Sequence, residues 1–294
     1  MKILVSGGTG FVGRYVVEGL LDAGHQVVVA ARHPVAEQMF SRPVGHVRFS
    51  LDPDADQSHV FDDAYHFVHA AFDHLPGRYR GGEGDDPQGF RRRNLDGSVR
   101  LFEAARRAGV RRCVFLSSRA VYDGLAAGSA LTEDMPLSPS SLYGEVKLRA
   151  EQVLADLSGP GFAGISLRAT GVYGDLRPNK WDGLFADYLA GRPVESRAGS
   201  EVHGRDLAEA VRLVLEADTT KVSGKAFNLS DIVTDTREIL SLLRQATGAD
   251  HPPPEPADRT AVAEMATKRI RALGWKPGGR TLLEETVRRL AGAL

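Results

Sequence analysis

Three glycines near the amino terminus constrain this chain more than any other feature of its sequence. Gly7, Gly10 and Gly13 follow a short apolar stretch at residues 2–6, which is typical of a buried strand. A helix is expected next, because apolar residues recur at helical spacing at Val12, Tyr15, Val16 and Leu20. Residues 26–32 then form a second apolar stretch of strand type. A strand, turn, helix and strand of this length fit a right-handed parallel crossover.

The glycine spacing also predicts what this crossover binds. Gly7 permits a tight turn, Gly10 lets backbone amides approach a pyrophosphate, and Gly13 lets the helix pack closely on the strand. The amino terminus of the helix adds partial positive charge. A plain glycine turn is the alternative, but the strand before the loop and the amphipathic helix after it favour a dinucleotide site. Its residues are Gly7, Gly10, Phe11, Val12 and Gly13.

The alternation of strand and helix continues along the chain. Apolar runs predict strands at residues 47–51, 66–72, 112–117 and 165–168, and helical spacing predicts helices at 94–108 and 143–157. Residues 73–89 are polar and glycine-rich, which indicates a mobile surface loop. Six strands alternating with helices predict an α/β fold with a doubly wound, Rossmann-type parallel sheet, whose ligands bind at the carboxyl ends of the strands.

The last third of the chain is less regular and is expected to contribute a small C-terminal substrate-binding part. Helices are predicted at about residues 183–190, 205–216, 236–247 and 282–290, with another before residue 273, a strand at 226–229 and a stiff connector at 251–256. The dinucleotide-binding domain is therefore predicted to span residues 1–168 plus about 200–230. The substrate-binding part is predicted at about 169–199 and 231–294.

Composition excludes several classes of function. The formal net charge is −1, from 37 basic and 38 acidic residues, so no global field attracts nucleic acid or a membrane surface. The single cysteine, Cys113, cannot form an internal disulfide, which favours a cytoplasmic location. No segment approaches the roughly 18 apolar residues of a membrane span. The expected partner is a small-molecule substrate.

Several histidines and serines are further candidates for site residues. His66 and His69 lie three apart on a predicted strand and face opposite sides, while His59 and His74 have no matching partners, so no metal site is expected. Ser117 and Ser118 are not surrounded by a Gly-x-Ser-x-Gly elbow, which argues against a hydrolase.

The end of the second strand indicates which dinucleotide binds. An acidic residue there would accept hydrogen bonds from the ribose of NAD, whereas this chain has Arg32, whose guanidinium suits a 2'-phosphate. The sequence therefore predicts a preference for NADP(H), with NAD(H) as the alternative if Arg32 is only a solvated residue. Asp52, after the third strand, is expected either to accept from the adenine amino group or to form a surface turn.

A candidate catalytic set follows the fifth strand. Tyr143 and Lys147 are four residues apart on a predicted helix and share a face. An ammonium near a phenol favours the phenolate and lowers the pKa of the phenol from its usual value of about 10. The tyrosine can then act as an acid and a base. Ser118 ends the strand, where its hydroxyl can bond a carbonyl oxygen. An accidental surface pair is the alternative for Tyr143 and Lys147 taken alone.

Together these residues give the chain a broad resemblance to a known family. It resembles an extended short-chain dehydrogenase/reductase, of the NAD(P)-dependent epimerase/dehydratase family, along nearly its whole length. The matching pieces are Gly7 to Gly13, Val68 to Ala71, Asn94 to Gly97, Leu116 to Ser118 with Val121 and Tyr122, Tyr143 to Lys147, Leu167 and Arg168, Val172 to Gly174, and Leu273 to Trp275.

The resemblance implies roles for individual residues. The catalytic serine of the family lies four residues before the tyrosine of a Val-Tyr pair, which selects Ser118 over Ser117. Lys147 would also bind the nicotinamide ribose, Ala70 and Ala71 would pass under the cofactor, and backbone from Thr170 to Val172 would meet the nicotinamide. The resemblance further implies a homodimer formed through the helices at Asn94 and Tyr143.

Some positions depart from the family pattern. Asp123 replaces a glycine, Ala169 replaces a frequent proline, and His203 to Asp206 replace a His-Val-Asp-Asp sequence. These positions belong to the substrate side, so they bear on the substrate more than on the redox chemistry. The candidate cations for an anionic substrate group are Arg78, Arg80, Arg91, Arg92, Arg93, Arg177, Lys180 and Arg192. The alternative for the triplet at residues 91–93 is a solvated charge run.

The sequence thus predicts an oxidoreductase, epimerase or dehydratase that acts on a sugar nucleotide or a related hydroxy or carbonyl compound. Ser118, Tyr143 and Lys147 are the predicted catalytic residues, and Arg32 favours an NADPH-dependent reductase. An epimerase that retains NAD and a non-catalytic NADP(H) sensor are the alternatives.

Overall fold

The computed structural model describes residues 1–75, 81–125 and 130–294. It begins with the predicted crossover: β1 (Lys2–Ser6) runs into the glycine turn, α1 (Phe11–Asp22) follows, and β2 (Gln26–Ala31) pairs parallel to β1. The prediction for this unit is confirmed, because the apolar run, the glycine turn and the helical spacing each specify the same local structure.

The strands that the structure describes form two sheets. Besides β1 and β2 they are β3 (Gly45–Arg48), β4 (His66–His69), β5 (Arg112–Ser118), β6 (Ala163–Ala169), β7 (Gly171–Tyr173), β8 (Ala198–His203), β9 (Lys225–Leu229) and β10 (Ile232–Asp235). The larger sheet is parallel and has the order β3-β2-β1-β4-β5-β6-β9. The smaller sheet has the order β10-β8-β7.

Helices cover both faces of the larger sheet. They are α2 (Pro87–Arg91), α3 (Gly97–Arg107), α4 (Leu142–Asp156), α5 (Asp182–Leu189), α6 (Gly204–Glu216), α7 (Thr219–Val222), α8 (Thr236–Thr247), α9 (Lys268–Arg271) and α10 (Gly279–Ala291). One core joins the sheet to α1 and α6, and a second joins its other face to α3 and α4. The predicted doubly wound, Rossmann-type α/β fold is confirmed. Within the ranges described above, no helix is long and apolar enough to span a membrane.

The helix predicted from residue 94 begins earlier. Asp86 caps α2 by accepting from the amide of Gly89 at 2.8 Å, and Pro87 fills the first turn. A π-helical turn, Arg92–Asp96, then joins α2 to α3. The polar residues before position 94 therefore belong partly to a helix, although they were predicted as loop up to residue 89. That prediction also covers residues 76–80, which lie outside the described residues.

The smaller sheet was not predicted as a sheet. Its strands are only three to six residues long and mix polar with apolar residues, so no alternation stands out. Residues Tyr173, Trp181 and Phe185 form a third core with α8 and α10 beside this sheet. The domain boundaries at 169–199 and 231–294, and the homodimer through the helices at Asn94 and Tyr143, stay predictions.

Candidate active site

A cleft of about 1860 Å³ opens at the carboxyl ends of the larger sheet. Its walls include the glycine loop, the ends of β2, β4 and β5, the first turns of α4 and the region from β7 to β8. Every cofactor-binding and catalytic residue predicted from the sequence lines it: Gly7, Gly10, Phe11, Val12, Gly13, Arg32, Asp52, Ala70, Ala71, Ser118, Tyr143, Lys147, Thr170 and Val172. The topology therefore brings the two predicted groups of residues to a single cleft.

Two glycines allow the loop to pack closely against the neighbouring backbone. Gly7 has a φ of +71°, and a Cβ there would lie 2.6 Å from the amide nitrogen of Ala71 at the end of β4. A Cβ on Gly13 would lie 2.0 Å from the carbonyl oxygen of Gly7. No side chain caps the amino terminus of α1 at Gly10. The loop and the open helix terminus therefore fit the pyrophosphate of a dinucleotide.

The two residues predicted for the adenosine end have different surroundings. Arg32 is exposed and, among the residues that the structure describes, has no ion-pair partner. Asp52 accepts from the Nη1 of Arg92 at 3.2 Å and from the amide of Asp54 at 3.2 Å. Arg32 is thus available for a 2'-phosphate, whereas Asp52 ties its turn to the π-helical turn.

A buried histidine, His69, fixes the end of β4 through two hydrogen bonds. His69 bonds the hydroxyl of Ser6 at 2.7 Å through Nδ1 and that of Ser98 at 2.9 Å through Nε2. Burial lowers the pKa of His69 to about 3, so the ring is neutral. The amide of Ala70 donates to the carbonyl of Ser6 at 3.1 Å. These bonds hold Ala70 against the glycine loop. The described residues contain no group of three or more His, Cys, Asp or Glu able to hold a metal ion.

Ser118 and Ser117 differ in their hydrogen bonds. The Oγ of Ser118 accepts from the amide of Ala120 at 3.1 Å and caps the short helical turn that follows β5. This bond leaves the hydroxyl proton of Ser118 able to donate to a substrate oxygen. The Oγ of Ser117 is buried and has no hydrogen-bond partner within residues 1–75, 81–125 and 130–294.

Tyr143 and Lys147 occupy the first turns of α4. The helix is capped by Ser141, whose Oγ accepts from the amide of Gly144 at 3.2 Å. The ammonium of Lys147 lies 5.8 Å from the centre of the Tyr143 ring, as expected for residues four apart on a helix.

Lys147 is an almost fully buried cation. Its Nζ donates to the carbonyl oxygen of Leu116 at 2.7 Å and lies 4.3 Å from the centre of the Phe72 ring and 4.7 Å from that of Phe115. Burial lowers the pKa of Lys147 from 10.5 to about 7, while the carboxylate of Glu151 acts in the opposite direction. Lys147 can therefore change its charge near neutral pH.

Most of the candidate cations for an anionic substrate are paired with carboxylates. Arg91 pairs with Glu145, Arg92 with Asp52 and Asp54, and Arg93 with Asp73 and Asp86. The triplet is thus partly exposed to solvent and ion-paired at each of its three positions. Arg177 pairs with Asp182, Lys180 with Glu201 and Arg192 with Asp187. Arg78 and Arg80 lie outside the described residues.

Sequence reasoning missed three features of the cleft. Arg197 is exposed on the cleft wall and, in the described part of the chain, has no ion-pair partner. Phe72 touches both Tyr143 and Lys147. The departure at Asp123 is matched by Arg119, whose Nη1 donates to Asp123 at 3.0 Å. Only this last pair had a signal in the sequence, namely opposite charges four residues apart.

A doubly wound parallel sheet with a glycine loop and a Ser, Tyr and Lys set at one cleft defines an extended short-chain dehydrogenase/reductase. Comparison with known sequences gives the narrower group: residues 3–230 match the NAD dependent epimerase/dehydratase family, and the chain belongs to that family of enzymes. The family resemblance predicted from the sequence is confirmed.

Individual relatives are similar over nearly the whole chain. A UDP-glucose 4-epimerase from Mycolicibacterium smegmatis is 30% identical, covering 94% of this chain and 94% of its own length. One from Lactobacillus helveticus is 28% identical, with 94% of this chain and 92% of its own length covered. The crystal structure of a UDP-glucose 4-epimerase from Thermus thermophilus in complex with NAD is 27% identical, covers 100% of both chains and superposes with a TM-score of 0.80.

Proposed function

We propose that this protein is a nucleotide-sugar 4-epimerase that retains its nicotinamide dinucleotide through the catalytic cycle. The observation that carries the proposal is the coincidence of a nearly full-length similarity to UDP-glucose 4-epimerases with Ser118, Tyr143 and Lys147 on the wall of one cleft. The lean towards a reductase taken from Arg32 becomes the second candidate, because the relatives named above are epimerases and one of them is a complex with NAD.

The glycine loop and Lys147 are the proposed holders of the dinucleotide. The amides from Gly10 to Gly13 would bind its pyrophosphate, and the Lys147 ammonium its nicotinamide ribose. When bound, the nicotinamide ring supplies a reversible acceptor and donor of hydride.

The remaining chemistry belongs to side chains of this chain. Tyr143 takes the proton from the substrate hydroxyl at the reacting carbon and later returns it, as a positioned acid and base. Ser118 donates a hydrogen bond to the same substrate oxygen, using the proton that its bond to Ala120 leaves available. Lys147, while protonated, favours the phenolate form of Tyr143. Acid and base catalysis of this kind supplies on the order of a hundred to ten thousand in rate.

Arg197 is the residue that would bind the substrate's diphosphate. We assign the substrate-binding part to residues 169–199 and 231–294, which contribute β7, β10 and most of the third core. Lys180 also lines the cleft but is paired with Glu201, so Arg197 is the better available cation. Its backbone is fixed by Thr236, whose amide donates to the Arg197 carbonyl at 2.9 Å.

The test begins with the nucleotide that co-purifies with the protein. We expect tightly bound NAD(H), interconversion of UDP-glucose and UDP-galactose, and no net change in the absorbance of reduced nicotinamide. Tyr143→Phe should lower turnover at least a hundredfold while dinucleotide binding is kept. Consumption of added NADPH by a carbonyl compound, with no interconversion of the two sugars, would overturn the epimerase proposal.

An NADPH-dependent reductase is the second candidate, and Arg32 is the specific observation in its favour. The guanidinium stands at the end of β2, where a carboxylate would be expected in a site specific for NAD. This candidate predicts stoichiometric oxidation of NADPH with a sugar nucleotide or a simple ketone, and weak retention of the dinucleotide during purification. A panel of such compounds, assayed with NADPH and with NADH, separates it from the epimerase.

A further inference from the structure

Phe72 occupies a central position in the cleft that neither its sequence neighbourhood nor the family pattern singles out. It follows Ala71 just beyond the end of β4, is half-buried and lines the cleft. Its ring contacts side chains from two helices, α2 and α4. Two of those contacts are made with Tyr143 and Lys147.

The first contact places the ring face of Phe72 under the ammonium of Lys147. The Nζ lies 4.3 Å from the ring centre, and the side chain of Lys147 is 5% exposed. Its one hydrogen bond to the described residues goes to the carbonyl of Leu116, so a single acceptor faces a buried cation that has three donors. The rings of Phe72 and Phe115 add to the electrostatic support from the Glu151 carboxylate, because the negative face of an aromatic ring attracts a desolvated cation.

The second contact sets the edge of one ring against the face of another. The centres of the Phe72 and Tyr143 rings are 5.2 Å apart and their planes meet at 85°, which is a favourable arrangement for two aromatic rings. Phe90, which is 1% exposed, packs against Phe72; the two ring centres are 5.4 Å apart and the ring planes meet at 75°. Phe72 is therefore fixed by the core on one side and contacts the predicted acid and base on the other.

We infer that Phe72 is a positioning residue that holds the ammonium of Lys147 and the ring of Tyr143 in their working arrangement. The inference rests on the proposed function only where it treats these two residues as catalytic. The ionisable groups that face Lys147 are Tyr143 and Glu151 on α4 and His69 on β4. Arg168 on β6 pairs with Glu151, and β5 contributes only the Phe115 ring and the Leu116 carbonyl.

The test measures the ionisation of Lys147 without any substrate. The free energy of unfolding is measured from about pH 5 to 10 in the protein and in its Lys147→Met variant, and the difference isolates the proton bound by Lys147 from those bound by other groups. The same pair of measurements is made in a Phe72→Leu background. Without the ring face the Lys147 ammonium is less stable in the folded protein, so the midpoint for Lys147 should move down by about one pH unit.

Two control variants separate positioning from general packing. Phe72→Tyr keeps the ring and should leave the midpoint where it is. Phe90→Leu removes a more deeply buried ring that contacts Phe72, and should lower the melting temperature without moving the midpoint by a comparable amount. An unmoved midpoint in Phe72→Leu, or equal shifts in Phe72→Leu and Phe90→Leu, would overturn the inference.

The outcome for Phe72 is independent of the outcome for the proposed function. The measurement needs neither substrate nor dinucleotide, so a shifted midpoint supports the positioning role even if no epimerase activity is found. Conversely, turnover that survives Tyr143→Phe would remove the catalytic assignment, whatever the midpoint does. In an active preparation we expect Phe72→Leu to lower kcat roughly tenfold with little change in KM, since the acid and base rather than the binding surface is disturbed.

Discussion

Arg168 on β6 and Glu151 on α4 form a buried ion pair directly behind the candidate active site. The Nη2 of Arg168 donates to one Glu151 oxygen at 2.7 Å, and its Nε lies 3.0 Å from the same oxygen and 3.2 Å from the other. The side chains are 5% and 6% exposed. The Nη1 of Arg168 also donates to the hydroxyl of Tyr122 at 2.7 Å. Because Glu151 lies one turn beyond Lys147, this pair anchors α4 to the sheet close to the candidate site.

Removing one charge of this pair should be costly. We expect Glu151→Gln to lower the free energy of unfolding by about 3 kcal/mol, because the guanidinium of Arg168 would stay buried without its carboxylate. The measurement is urea denaturation followed by circular dichroism. Glu103→Gln is the matched control: Glu103 pairs with Arg100 and Arg107 on the surface of α3, and its loss should cost less than about 0.5 kcal/mol. Equal losses in the two variants would contradict the prediction.

The sequence predicted the larger sheet well because its elements carry strong local signals. The glycine loop and the apolar strand β5 specify local structure directly, and α4 shows clear helical spacing. The smaller sheet was missed because β7 has three residues and β8 includes polar positions such as Ser200 and Glu201. Its strands are defined by pairing with distant segments, which local periodicity does not contain.

The same distinction applies to the candidate site. Tyr143, Lys147 and Ser118 were found because their spacing along the chain is itself a signal. Phe72 and Arg197 were missed because their places on the cleft wall depend on tertiary packing. The arginines at 91–93 are conspicuous in the sequence, but their ion pairs were not predicted. Their carboxylate partners lie on separate turns and include Asp52 and Asp73.

Lys147 should make the stability of the unliganded protein depend on pH. Its pKa is lowered from 10.5 to about 7 by burial, so between those values the unfolded chain binds a proton that the folded chain has released. The free energy of unfolding therefore rises with pH across this window, and below about pH 7 the buried charge destabilises the fold in full. Denaturation at several pH values from 6 to 10 measures the effect.

Lys147→Met is the reference for that experiment because it removes the charge and keeps much of the side chain. The stability of the unaltered protein relative to this variant should increase by up to about 5 kcal/mol between pH 6 and 10. A difference that stays constant over this range would show that Lys147 has an ordinary pKa in the folded state.

Two glycines of the loop should respond differently to an added methyl group. In Gly13→Ala the Cβ would lie 2.0 Å from the carbonyl oxygen of Gly7, so α1 must move away from β1. We expect a loss of about 2 kcal/mol in the free energy of unfolding, together with loss of dinucleotide binding. In Gly10→Ala the nearest atom, the Gly7 oxygen, is 3.3 Å away, so the fold should be kept while the affinity for dinucleotide falls. Thermal denaturation and fluorescence titration with NAD⁺ and NADP⁺ distinguish the two results.

The neighbouring serines provide a matched test of the catalytic assignment. Ser118→Ala removes the proposed donor to substrate, so turnover should fall ten- to a thousandfold. It also removes the acceptor for the amide of Ala120, so the free energy of unfolding should fall by about 1 kcal/mol. Ser117→Ala removes a buried hydroxyl that has no partner among the described residues, so it should leave stability unchanged or slightly higher. A larger loss of turnover in Ser117→Ala than in Ser118→Ala would show that the wrong serine was selected.

Arg32 should determine how strongly the protein distinguishes the two dinucleotides. A charge-assisted bond to a 2'-phosphate contributes roughly 1.5 to 3 kcal/mol, so Arg32→Met should weaken NADP⁺ binding by about ten- to a hundredfold and leave NAD⁺ binding nearly unchanged. Arg32→Asp adds a carboxylate that repels the 2'-phosphate and can accept from the ribose hydroxyls of NAD⁺, so it should weaken NADP⁺ binding further and strengthen NAD⁺ binding. Dissociation constants from fluorescence titration give all three comparisons. If NADP⁺ binds the aspartate variant as well as the unaltered protein, Arg32 is a solvated residue at the end of β2, and the argument for a reductase loses its specific support.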